Sequence, residues 1–150
     1  MFIYGFHTSA GSTAPDKAIY PLLRERGLPV VMKCTDGATG IYDALVDAND
    51  KDVIVFRAST FGQNDGYDYD VLPDIQDPFD CAAKHWSMHR QAIPAEIRGN
   101  NNLVIECINE PNQSVEYADW MGKVMRHLAQ FVIEDGYKFA GPAYASGNPY

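Results

Sequence analysis

The chain has 150 residues, 46% of them hydrophobic, which is enough for one domain with a core of its own. Its formal net charge of −8 repels phosphate backbones and argues against nucleic acid as a partner. No apolar run approaches the ~20 residues of a membrane span, so no membrane partner is expected.

Read in chain order, strands and helices alternate. "MFIYGFHTS" is a first strand, and Ala18, Ile19, Leu22, Leu23 and Arg26 then follow at helical spacing and close at Gly27. Pro21 sits awkwardly in that helix and blurs its start. "PVVMKCTD" is the second strand, and Ile41, Tyr42, Leu45 and Val46 mark a short second helix. "DVIVFRAST" is the third strand, followed by a long loop rich in Asp, Tyr, Gly and Pro. Phe79, Ala82, Ala83, Trp86, Arg90 and Ile93 lie on one face of a third helix. "LVIECINEP" is the fourth strand. The fourth helix carries Tyr117, Trp120, Met121, Val124, Leu128, Phe131 and Val132 at helical spacing, with Ser114 placed to cap it and Gly136 to end it. "YKFAGPAYASG" is a fifth strand.

Apolar strands alternating with amphipathic helices predict an α/β domain with a parallel sheet. Two architectures fit the pattern: an open doubly wound sheet or a (β/α)8 barrel. In both, chemistry belongs at the C-terminal ends of the strands. His7, Asp36, Arg57, Asn109, Glu110 and Tyr144 fall at or near such ends.

The string "IECINEPN" (Ile105 to Asn112), on the lip of a fourth strand that follows three βα units, resembles the Asn-Glu-Pro segment of clan-A glycoside hydrolases. Those are retaining (β/α)8-barrel enzymes. The order of elements agrees along the whole chain, and the sequence likeness is confined to Glu106 through Asn112. The resemblance implies that Glu110 is the general acid/base, protonating the glycosidic oxygen and then activating water. It implies that Asn109 hydrogen-bonds the 2-hydroxyl of the sugar beside the cleaved bond. An acid in that role needs a raised pKa, supplied by burial and a second carboxylate. Pro111 stiffens the turn. The substrate would be an oligo- or polysaccharide with β linkages, cleaved without a cofactor. The plainer reading of Glu110 is an exposed acid before a helix.

Glu106 lies four residues before Glu110 and shares its face, deeper along the strand. A buried carboxylate needs a partner, and Arg57 is the candidate, either holding Glu106 or reaching into the cleft. His7 is a cleft residue or an interior barrel histidine. Lys33 and Asp36 face the cleft or form a mutual ion pair. Tyr144 touches the acid/base or fills the barrel mouth. His85 and His89 stand four apart on the third helix, and without a third ligand they are expected to be exposed on an outer face, so no metal is assigned. The acidic loop Asp65 to Asp70 lacks the glycine and final glutamate of an EF-hand loop, and its Tyr67 and Tyr69 would better serve as a stacking wall for sugars. "TDGATG" is a poor phosphate loop.

A retaining glycosidase needs a second carboxylate about 5–5.5 Å from the first. In clan A it comes from the seventh strand, and these residues reach only the fifth. A whole barrel takes about 250 residues. The expectation is therefore a single partial barrel domain over residues 1–150, an incomplete (β/α)8 barrel of about five βα units, inactive alone. The alternative is a barrel-derived module that holds a glycan without cutting it. Cys34, Cys81 and Cys107 are widely spaced and odd in number, which predicts free thiols. Free thiols and the absence of a leader pattern in "MFIYGFHTS" favour the cytoplasm, although most enzymes of the resembled clan act outside the cell.

Overall fold

A computed structural model describes residues 5–9, 15–37, 40–59, 71–109, 111 and 114–142. The elements are β1 (Phe6–Ser9), α1 (Pro15–Glu25), β2 (Val31–Thr35), α2 (Ile41–Val46), β3 (Val53–Arg57), α3 (Pro78–Ala92), β4 (Leu103–Glu106), α4 (Val115–Glu134) and β5 (Lys138–Ala140). All strand pairs are parallel, and the strands stand in the order β1-β2-β3-β4-β5. The described sheet is open, with β1 and β5 at its edges. Its order never reverses, so it lacks the switch-point crevice on which the doubly wound reading depends.

One face of the sheet is packed and the other is not. Met32, Cys34, Ile54, Phe56, Leu103 and Ile105 are all but inaccessible and share one core with Tyr20 of α1, Ile41 and Leu45 of α2, Trp86 of α3 and Leu128 of α4. All four helices therefore cover the same face. Alternate residues point the other way. Of these, Val31, Lys33, Val55 and Val104 are half-buried and Val53 is 44% exposed.

Backbone chemistry ends the helices where glycine allows it. Gly27 takes φ 65°, with Gly27 N donating to Arg24 O and Leu28 N to Leu23 O. Gly136 repeats the device at φ 86°, with Gly136 N donating to Ile133 O and Tyr137 N to Val132 O. This pair of bonds satisfies carbonyls that the helix end leaves open. Asp77 caps α3 by accepting from Phe79 N at 2.9 Å and Asp80 N at 3.0 Å, with Pro78 in the first turn where no donor is missed. Ser114 takes the N-cap position of α4 without a side-chain cap bond. Pro21 lies inside α1.

Expectations about α3 are corrected in part. Of the expected stripe, Ala82, Trp86 and Ile93 are buried, but Phe79 is 50% exposed and Arg90 is exposed, and Cys81, His85, Met88 and His89 are buried as well. The positions 81, 85, 88 and 89 also recur at helical spacing, and His89 sets its ring edge-on to Phe56 of β3. His85 and His89, expected in solvent, are 1% and 0% exposed. On α2, Tyr42 and Val46 point outward and Ala44 joins Ile41 and Leu45 inside.

Candidate functional site

The uncovered face of the sheet is ordered in rows by its register. His7 lies beside Lys33, Lys33 beside Val55, Val55 beside Val104, and Val104 beside Lys138. One step nearer the C-terminal ends, Thr35 lies beside Arg57 and Glu106 beside Ala140. Since β3 and β4 run in the same register, Arg57 and Glu106 are neighbours in that row.

Charge concentrates there. Glu106 Oε1 accepts from Arg57 Nη1 at 2.7 Å and from Lys33 Nζ at 2.6 Å. Both contacts are salt bridges among groups with little solvent: the side chains of Glu106, Arg57 and Lys33 are 9%, 10% and 24% exposed. Two cations on one carboxylate leave the cluster with one net positive charge. Lys33 comes from the row below, and its long stem lets the ammonium climb to Glu106. Of the two roles expected for Arg57, it takes the structural one.

Arg57 Nη1 also donates to Asn109 Oδ1 at 2.7 Å, just beyond β4. Guanidinium has only donors, so the amide atom facing it is the oxygen. The Asn109 NH2 is thereby turned away from Arg57 as a donor. The sequence reading used both ends of this amide for a sugar hydroxyl, whereas the structure already engages the acceptor end.

Asp36 is placed differently from the expectation. Its carboxylate accepts from Ser59 N and from Ser59 Oγ, each at 2.6 Å, and its backbone N donates to Arg57 O at 2.9 Å. It holds φ 58°, a left-handed conformation that Asp tolerates better than most residues. Asp36 therefore fastens the end of β2 to the segment leaving β3, and its oxygens are engaged in that clip rather than turned to a ligand. Lys33 pairs with Glu106, not in the expected bond to Asp36.

His7 is exposed on β1, in register with Lys33 and so on the uncovered face. Pro111 is buried. Glu110 and Tyr144 lie outside the described residues, as does the loop with Tyr67 and Tyr69.

Sequence reasoning missed one member of this site, Ser59, which had no signal beyond being polar at the end of a strand. Lys33 was expected in the cleft or paired with Asp36, and its actual partner, Glu106, depended on register. The three cysteines are free, as expected, and all three are buried. No helix among the described residues is long and apolar enough to cross a membrane. No protein-family model, curated protein or solved structure matches the chain.

Proposed function

We propose that the chain forms the first five βα units of a (β/α)8-barrel retaining glycoside hydrolase acting on a β-linked glycan, with Glu110 as general acid/base. The observation that carries the reading is Asn109, held by Arg57 at 2.7 Å at the end of β4, next in the chain to Glu110. Successive strand order and one-sided helix cover are what a barrel winding requires. The uncovered face would then be the barrel interior and the Arg57–Glu106–Lys33 cluster its upper layer.

In this reading each residue has a distinct task. Glu110 donates a proton to the leaving oxygen and later takes one from water. Asn109 NH2 donates to the oxygen of the 2-hydroxyl, while Arg57 fixes the orientation of the amide. Glu106 serves Arg57 and is no nucleophile, because two cations hold its charge in place. His7 stands over the first strand as a further polar contact for the sugar.

Replacing Glu110 by Gln in the full-length gene product tests this. Hydrolysis of β-glycans should fall by orders of magnitude, and azide should partly restore turnover of substrates with activated leaving groups. Unchanged activity refutes the assignment.

A second reading has its own support. Among the described residues of the uncovered face, the single acid is Glu106, and it is locked. A chain that holds a glycan without cutting it would need no second carboxylate. Affinity electrophoresis of the 150-residue chain on immobilised glycans separates the two, since retardation without hydrolysis is expected only of the binding module.

A further inference from the structure

On the packed side of β4, directly behind the candidate cleft, lie three potential metal ligands. His85 and His89 come from adjacent turns of α3, and Cys107 follows β4. Their ligand atoms all lie within 4.8 Å of one another, and all three residues are buried. Around a metal with bonds of about 2.0–2.3 Å, such atoms sit roughly 3.5–4 Å apart. Small side-chain rotations therefore close the site.

The hydrogen bonding of His85 leaves one ring nitrogen open. Its Nε2 lies 3.0 Å from Cys107 O. A carbonyl only accepts, so Nε2 carries the proton and Nδ1 presents a lone pair. Nδ1 has no hydrogen-bond partner despite complete burial. Ligating histidines usually donate their second nitrogen to a carbonyl or carboxylate in this way. The His89 ring stacks against His85 with centroids 5.9 Å apart.

We propose that His85, His89 and Cys107 form a three-coordinate site for a soft monovalent d10 metal ion, with Cu(I) preferred to Zn(II). The preference is electrostatic. The metal ion replaces the Cys107 thiol proton, which leaves to solvent, and no oxidation state changes. One thiolate and two neutral imidazoles make a neutral complex with Cu(I) and a cationic one with Zn(II). A buried charge is costly unless paired, and the acid next to Cys107 in the chain, Glu106, is on the other face of β4 and already paired with Lys33 and Arg57. No fourth His, Cys, Asp or Glu joins the group among the described residues. Imidazole and thiolate suit Cu(I), which accepts three-coordination. The site does not depend on the glycosidase reading, although it would brace the strand that carries Asn109 and Glu110.

The test is anaerobic titration of the reduced 150-residue chain with Cu(I) held by bicinchoninate. One equivalent should transfer. Cys107→Ser and His89→Gln should weaken capture by more than roughly 100-fold, whereas Cys34→Ser and Cys81→Ser should keep it. Copper K-edge absorption on the unaltered chain, which needs no variant to fold, should show one sulfur and two nitrogens. Failure of the chain to take copper from the chelator overturns the proposal and leaves the cluster as core packing. Capture that survives Cys107→Ser, or Zn(II) displacing Cu(I) at equal concentration, overturns it as well.

Discussion

Replacing Glu106 by Gln isolates the energetics of the cluster. The change keeps shape and removes the one negative charge that Arg57 and Lys33 share at 2.7 and 2.6 Å. Lys33, 24% exposed, can turn its ammonium toward water and recover much of the loss. Arg57, 10% exposed, cannot, and it would keep the neutral oxygen of Asn109 as its contact from Nη1. Removing one member of a buried pair usually costs about 3–5 kcal/mol, and the relief open to Lys33 puts this case near 3. Against a typical total stability of about 5–15 kcal/mol, that loss is large. Lys33→Met should behave differently, because Arg57 still neutralises Glu106 and the group removed is partly solvated. About 1 kcal/mol or less is expected there. Urea unfolding followed by circular dichroism reads both, provided the m-value is unchanged. An E106Q protein within 1 kcal/mol of the parent, or a K33M protein as damaged as E106Q, would show that the charges do not divide the burial as described.

Two further predictions concern backbone and titration. Gly136 and Gly122 both have open space where a Cβ would stand, but only Gly136 holds a positive φ, of 86°. Gly136→Ala should therefore destabilise by about 1 kcal/mol and Gly122→Ala, inside α4, should stabilise by roughly 0.5–1 kcal/mol, with equal signs in thermal unfolding refuting the capping argument. Burial raises the Cys81 thiol from 9.0 to about 11. The folded chain then holds a proton that the unfolded chain releases, so this part of the stability is complete below pH 9 and is lost as pH rises toward 11, by up to roughly 1 kcal/mol per unit. Cys81→Ala should flatten the alkaline slope, and an unchanged slope would contradict the assignment.

Much of the fold is legible in the residues because it rests on local rules. Apolar runs bounded by turns give the strands, and Gly27 and Gly136 mark helix ends that only a positive φ completes. The pairing of Arg57 with Glu106 is also readable, since an acid at an inward position calls for the nearest inward cation. Strand order is not, because alternation of strand and helix is common to both architectures. Lys33 reaches Glu106 through a register that no single strand encodes. His85 and His89 were misplaced because two overlapping faces of α3 have helical spacing. The face turned to the sheet includes both histidines, with the His89 ring edge-on to Phe56 of β3, while Phe79 and Arg90 stay outside.

Strand order has a consequence for how this chain is made. Each strand hydrogen-bonds only to its predecessor and its successor in sequence. A nascent chain can therefore add one strand-and-helix pair at a time to a growing edge, without waiting for a distant segment to leave the ribosome. Every intermediate then ends in a strand with unpaired backbone groups, and at the stage described here that strand is β5. Lys138 at the start of β5 is exposed, and a charge in that position discourages the growing edge from pairing with a neighbouring chain.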